Sequence, residues 1–178
     1  MIREYHQRDW SEVCRVFDRS KPHELAAGGI GESFVPLADD EKRIADFARS
    51  TVFVWEEKGK LRGFVGHEGS YIGWLFVDPA AFRSGIARAL LRHILPRLNG
   101  EPWLWAMKNN RAAISLYRNE GFEIVEERET QNGGMPCLAV KLQLRKKAPK
   151  QQSPEPTPQA VMHPRDAGCA PPADMTHR

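Results

Sequence analysis

The sequence predicts an α/β domain in which a mixed, mostly antiparallel twisted sheet of about seven strands carries helices on both faces. Three observations lead there. Short runs rich in β-branched and aromatic residues alternate with stretches of helical periodicity. The runs "TVFVWEE", "LRGFVGHE" and "YIGWLFV" follow one another within residues 51–77, joined by tight turns such as "KGK". Close to the C-terminal end, "FEIVEERET" and "MPCLAVKLQL" are split by "QNGG", the signature of a closing hairpin.

The elements follow in order. "IREY" opens as a short strand. Asp9 and Glu12 form a capping box, and Trp10, Val13, Val16 and Phe17 then repeat at helical spacing. Ser20 to Ala38 holds "AAGGIGES" and two prolines and is expected to be a long loop, the place where an acceptor would be recognised, with His23 and Glu24 in it. "DDEKRIADFARS" is a second helix with an acidic first turn. After the three central strands, "DPAAFRSG" leads into a helix whose Ile86, Leu90, Ile94 and Leu98 line one face. Pro96 is expected to kink or end it, and His93 is expected on its surface. "PWLWAM" is a further strand. "NNRAAISLYRNEGF" is a helix with Asn109 or Asn110 as its N-cap and Gly121 just past its end.

The chain has 178 residues and a net charge of +3. Residues 1–144 hold 20 basic and 20 acidic side chains, so the excess belongs to the segment from Arg145 onward. That segment carries seven of the 13 prolines and little apolar periodicity. The reading is one domain over 1–144 and a disordered, Pro-rich basic tail over 145–178. A neutral domain offers no footprint for nucleic acid, which demotes that partner class. No apolar run is long enough for a membrane span, and "MIREYHQRDW" is too charged for a secretory signal, so the expected location is cytoplasmic. Cys14, Cys137 and Cys169 fit neither a disulfide framework nor a metal site, and the first two read as small core residues. The expected state is monomer or homodimer, the latter through a free edge strand of the last hairpin.

The stretch "FRSGIARALL" places Arg83 and Arg88 around a glycine turn where a helix begins. A helix N-terminus is already partly positive, so each cation there is unfavourable by about 0.3–1 kcal/mol unless an anion shares the spot. A strand–turn–helix corner with Gly85 at its centre is such an anion site, and phosphate is its natural occupant. The plain alternative is two solvated surface arginines. Two other phosphate motifs fail: no G-x-x-x-x-G-K-[ST] exists, and no strand precedes "GGIGESF". Beyond the turn, Asn110, Ala113 and Tyr117 share one helix face at i, i+3 and i+7. A tyrosine so placed is by itself more often a core residue.

Together, "VDPAAFRSGIARALL" and "NRAAISLYRNEGF" resemble the GCN5-related N-acetyltransferase (GNAT) superfamily. The first is similar to its [QR]-x-x-G-x-[GA] acetyl-CoA signature, the second to its N-x-x-A-x-x-x-Y-x-x-x-G-F segment. One departure is plain: Phe82 stands where the family has Gln or Arg, and the arginine falls one place later, at Arg83. The resemblance implies the acyl-CoA N-acyltransferase fold and direct transfer from acetyl-CoA as co-substrate to a primary amine, without a metal. It implies cofactor contacts from the backbone of Leu75, Phe76 and Val77, from Arg83, Ser84, Gly85, Ile86, Ala87 and Arg88, and from Asn110, Ala113 and Tyr117. It also implies that the Tyr117 hydroxyl protonates the departing thiolate.

An amine must lose its proton before it attacks a thioester. His67 or Glu68, at the end of "GFVGHE", is the candidate base, with Tyr71 nearby and a water chain as the other route. Ribosomal-protein-type members carry a glutamate where this chain has Trp105, which argues against a peptide N-terminus as acceptor. Trp74, Trp103 and Trp105 are expected in the core or on a flat acceptor wall. The expected acceptor is a small-molecule amine. A non-catalytic acyl-CoA sensor is the competing function class; it would keep the glycine turn and lose its dependence on Tyr117.

Overall fold

The computed structural model describes residues 1–27, 29, 34–132 and 134–145. Most of "GGIGES", and the tail from residue 146 with Cys169, lie outside the described residues. The element order is β1 (Ile2–Glu4), α1 (Trp10–Ala27), α2 (Glu41–Arg49), β2 (Thr51–Glu57), β3 (Lys60–Glu68), β4 (Tyr71–Val77), α3 (Ile86–Ile94), β5 (Trp103–Met107), α4 (Arg111–Asn119), β6 (Glu123–Asn132) and β7 (Met135–Gln143).

One seven-stranded sheet runs in the order β1-β2-β3-β4-β5-β7-β6. All neighbours are antiparallel except β4 and β5. The helices cover its two faces. Val13, Val16 and Phe17 of α1 and Phe47 of α2 pack with Val52, Val54, Phe64 and Trp74. Ile86, Leu90, Leu91 and Ile94 of α3 and Tyr117 of α4 pack on the other side with Phe53, Val65, Ile72, Leu104 and Leu142. Val52, Phe53 and Val54 thus alternate between the two layers, as a strand buried on both sides requires.

Local chemistry sets the boundaries. Asp40 caps α2 by accepting from Arg43 N at 3.0 Å, and Asn110 caps α4 by accepting from Ala113 N at 3.1 Å. Gly121 ends α4 with φ of +92°, a left-handed conformation open to glycine. α3 stops at Ile94, and a 3₁₀ turn over Leu95–Arg97 takes in Pro96. The Asp9–Glu12 capping box is replaced by another arrangement: Asp9 accepts from His6 N at 2.9 Å and from Arg3 at 2.7 and 2.9 Å.

The expected loop from Ser20 is corrected over its first part. α1 continues through Pro22 to Ala27. A proline in a helix interior is unfavourable by about 3 kcal/mol, so tertiary contacts hold this turn. Leu25 is 1 % exposed against Met107, Phe34 and Cys137, and Ser20 and Lys21 are buried. His93 is also half-buried instead of lying on the surface, its ring edge-on to Phe53 at 4.8 Å. Cys14 and Cys137 are free thiols, each partly buried.

Candidate active site

β4 is irregular at one residue, and that irregularity opens the sheet. Its register with β3 steps from His67↔Ile72 to Gly66↔Trp74, leaving Gly73 as an extra, unpaired residue. Such a bulge bends its strand and breaks the alternation. Ile72 therefore joins the layer beneath α3 and α4, while Trp74 joins the layer beneath α1 and α2.

On its other side, β4 meets β5 through a single described pair, Tyr71↔Trp103. Trp103 N donates to Ser70 O at 3.0 Å, and the Tyr71 and Trp103 rings lie 4.4 Å apart at this apex. From Ile72 onward the two strands separate. Phe76 pairs with Phe64 and turns its carbonyl toward β3, so the outer edge of β4 carries the backbone N–H and C=O of Leu75; that edge lacks a ladder partner among the described residues, and these groups are free for a ligand.

The opening leads into a cavity of about 430 Å³, within the range of small-molecule sites. Glu68, Tyr71, Leu75, Phe76, Trp105, Asn110, Ala113 and Tyr117 all stand in its wall. His67 and Val77 do not: the His67 Nδ1 lies 3.1 Å from Gly69 O, at the strand's exposed end. Glu68 is more than half exposed, its carboxylate 3.7 Å from Arg49. Trp74 also borders the cavity, while its Nε1–H donates to Ser50 Oγ at 3.2 Å.

Tyr117 is 8 % exposed, with its ring edge-on to Phe122. Burial first, then the nearby charge of Glu24 and Tyr71, pushes its phenol well above the ordinary value. The hydroxyl therefore keeps its proton throughout the neutral range. Tyr71 is raised as well, by burial and by Asp46, against Arg128 and Arg43.

The glycine corner lies between β4 and α3. Asp78, 1 % exposed, accepts from Ala80 N at 3.0 Å and takes Arg15 at 2.5 Å and Arg19 at 3.5 Å, so it ties the end of β4 to α1. Arg83 has φ of +62° and Gly85 +86°. Ser84 Oγ donates to Ala81 O at 2.6 Å, and Ile86 is buried beneath the turn. No atom lies within 4 Å of where a Cβ on Gly85 would stand. The space in front of this helix start is open, and its first N–H groups have no helical partner. These features suit a pyrophosphate, the group that acetyl-CoA would bring.

Arg88 has a partner the sequence did not suggest. Its Nε lies 3.0 Å from Glu120, and Arg92 takes the other oxygen at 2.7 Å. The Glu120 side chain is 7 % exposed between them. The unfavourable placement of Arg88 at the helix start is thus offset by a carboxylate at the end of α4. Arg83 and Ala87 complete the corner, the first exposed and the second half-buried. Phe82 is 46 % exposed and its ring meets His23 at 5.5 Å.

Among the wall residues missed by sequence reasoning are three cations. Lys21 reaches the cavity because α1 continues through Pro22, and its Nζ lies 3.0 Å from Glu24. Arg43 joins from α2, its guanidinium 5.6 Å over the Phe17 ring. Arg128 stacks at 3.8 Å on Trp105. The stripe Val13–Phe17–Lys21 at i+4 spacing was the legible signal for the first of these.

Comparisons with known proteins agree with the geometry. Residues 48–124 match the family model described as an acetyltransferase (GNAT) domain. The chain is 33 % identical to the peptidyl-lysine N-acetyltransferase YiaC of Escherichia coli over 71 % of its own length and 85 % of that protein. Among solved structures, a GCN5-related N-acetyltransferase from Rhodopseudomonas palustris superposes with a TM-score of 0.72 at 17 % identity, covering 81 % of this chain and 94 % of that one. The PaiA N-acetyltransferase from Thermoplasma acidophilum, solved with coenzyme A, gives 0.65 at 15 % identity over 82 % and 98 %. Among the described residues no helix is long and apolar enough to cross a membrane. A strand order that opens between β4 and β5, a glycine corner before α3 and a relative of this identity lead to one statement: the chain belongs to the GNAT family and is an acetyl-CoA-dependent N-acetyltransferase.

Proposed function

We propose that the chain moves the acetyl group from acetyl-CoA to a primary amine, the side-chain amine of a lysine in a peptide, inside the cavity between β4 and β5. The observation that carries this is that the unpaired edge of β4 and the buried Tyr117 border one cavity. When bound, acetyl-CoA supplies the activated acyl group. The free N–H of Leu75 polarises that group's carbonyl and holds the developing oxyanion. The corner from Arg83 to Arg88 takes the pyrophosphate, and Asn110, whose Oδ1 is committed to Ala113 N, offers its amide N–H groups to the cofactor. Tyr117 gives its proton to the leaving sulfur. The acceptor ammonium loses its proton to a wall carboxylate, Glu24 or Glu68.

The lysine assignment is supported by the name of the E. coli relative. A small-molecule amine is the second reading. It is favoured by the cavity's size and by the aromatic Trp105 in its wall.

The test is thiol release from acetyl-CoA with an N-terminally blocked lysine peptide, a polyamine and an aminoglycoside as acceptors, beside Tyr117→Phe. The peptide should turn over fastest. The variant should lose about 10²–10⁴-fold in kcat, with acetyl-CoA affinity near wild type. Turnover unchanged by the substitution would remove Tyr117 from the mechanism, and preference for the polyamine would move the assignment to the small-molecule reading.

A further inference from the structure

Lys21 is an unusual lysine in this fold. It is 5 % exposed, whereas Lys42, Lys58, Lys60 and Lys108 are exposed and Lys141 is half-buried over the Trp103 ring. Lysine is almost never fully buried without a partner, and the partner here is Glu24 at 3.0 Å. Its ammonium nitrogen stands 5.8 Å from the centre of the Phe76 ring, and Phe76 follows Leu75 in β4, the strand that borders the opening. Lys21, Phe76 and Tyr117 all border the same cavity.

We propose that Lys21 is an internal acceptor: the chain acetylates its own Lys21 Nζ in cis, and the acetyl-lysine then fills the acceptor side of the cavity. The inference rests on the reading of β4 and Tyr117 given under Proposed function. The geometry brings a primary amine to the wall where an acceptor amine must stand, beside a carboxylate able to take its proton. Burial lowers the Lys21 pKa, and Arg43 adds to the lowering, while Glu24 and Cys137 oppose it. A buried lysine held this way is closer to the neutral, attacking form than the exposed ones are.

The step balances. One ammonium proton passes to Glu24 and on to solvent. The nitrogen lone pair attacks the thioester carbonyl carbon, the C–N bond forms, and the C–S bond breaks. Tyr117 protonates the sulfur and is itself reprotonated by the second nitrogen proton. The products are an amide, the CoA thiol and one released proton. The modified side chain has lost its charge, so the Lys21–Glu24 pair is gone and the cavity is narrower by an acetyl group.

The full chain is incubated with acetyl-CoA alone and its modified lysines are mapped by mass spectrometry over time. Lys21 should be acetylated at least about tenfold faster than Lys42, Lys58, Lys60 and Lys108. Its rate constant should be independent of protein concentration, and about 10²-fold lower in Tyr117→Phe. Lys42→Arg serves as a control that leaves Lys21 modification intact. Acetylation of Lys21 at the pace of the exposed lysines, or undiminished in Tyr117→Phe, would overturn the proposal as mere chemical acetylation. A rate that rises with protein concentration would overturn transfer in cis. Turnover of the lysine peptide with Lys21 unmodified sinks this inference alone, whereas neither reaction occurring sinks the transferase mechanism with it.

Discussion

Gly63 shows how tightly the part of β4 that borders the cavity is coupled to the rest of the sheet. It sits in β3 opposite Val77, directly under the strand that borders the opening. A Cβ at this position would stand 2.8 Å from the Phe76 carbonyl oxygen and 3.2 Å from Ile86 Cγ2 and Leu90 Cδ1. The two methyl groups can yield a few tenths of an ångström by rotation. The carbonyl cannot, because it belongs to the β3–β4 ladder, so Gly63→Ala must move β4 away from β3. Overpacking of this kind costs about 1–3 kcal/mol, which for a domain of this size corresponds to roughly 2–12 °C in Tm.

The displaced peptide adjoins Leu75 and Phe76, which border the cavity, so acetyl-CoA affinity should fall together with stability. A thermal melt and a titration with acetyl-CoA measure both. Gly69→Ala is the control. Gly69 has φ of +58° and nothing within 4 Å, so it should lose only the cost of a left-handed alanine, about 1–2 kcal/mol, with cofactor affinity intact. A Gly63→Ala variant that melts like wild type would refute the packing argument. One that is destabilised yet binds acetyl-CoA normally would refute the coupling between ladder and site.

Other expectations are narrower. Gly85→Ala meets no neighbour and should lose only about 1–2 kcal/mol of stability through its positive φ, but its Cβ enters the space before α3, so Kd for acetyl-CoA should rise about tenfold or more, the equivalent of one charged hydrogen bond. A Kd for acetyl-CoA unchanged by the substitution would mean that the corner holds no phosphate. Asp78 is held below the usual carboxylate range: burial raises it, but Arg15, Ala80 N and Arg19 outweigh burial. A depressed folded pKa contributes stability above the unfolded value of about 4 that is lost as pH falls through the folded one. Asp78→Asn should therefore be about 1–3 kcal/mol less stable at pH 7, and that gap should close in urea melts below pH 4. A gap that persists unchanged into acid would mean the charge contributes nothing. Because the Tyr117 phenol is raised by burial, the alkaline side of the rate profile should show no loss from its ionisation below about pH 10; a falling limb near pH 9 that vanishes in Tyr117→Phe would contradict this.

The cores of the strands and of three helices were legible because each face-alternating or helical pattern agrees with local capping. Asp40, Asn110 and Gly121 announce their boundaries through side-chain chemistry that needs no tertiary context. The glycine corner and the tyrosine frame were legible for the same reason: both are short-range arrangements. What escaped depends on partners far along the chain. Arg88 reads as a cation awaiting an anion until Glu120, at the end of another helix, is brought within 3.0 Å. Gly73 reads as an ordinary strand glycine, since a bulge exists only relative to the register of β3.

Pro22 is the most instructive case. By its own propensity it ends a helix, and the glycines after it reinforce a loop reading. Yet Val13, Phe17, Lys21 and Leu25 continue one stripe through it, and burial of Leu25 against Met107 and Cys137 outweighs the missing hydrogen bond. The consequence is chemical as well as structural. A loop at this place would leave Lys21 and Glu24 in solvent, where a pair of this kind contributes little. The continued helix brings both into the cavity wall that Phe76 and Tyr117 share, giving it a paired amine and carboxylate that local sequence patterns alone do not locate.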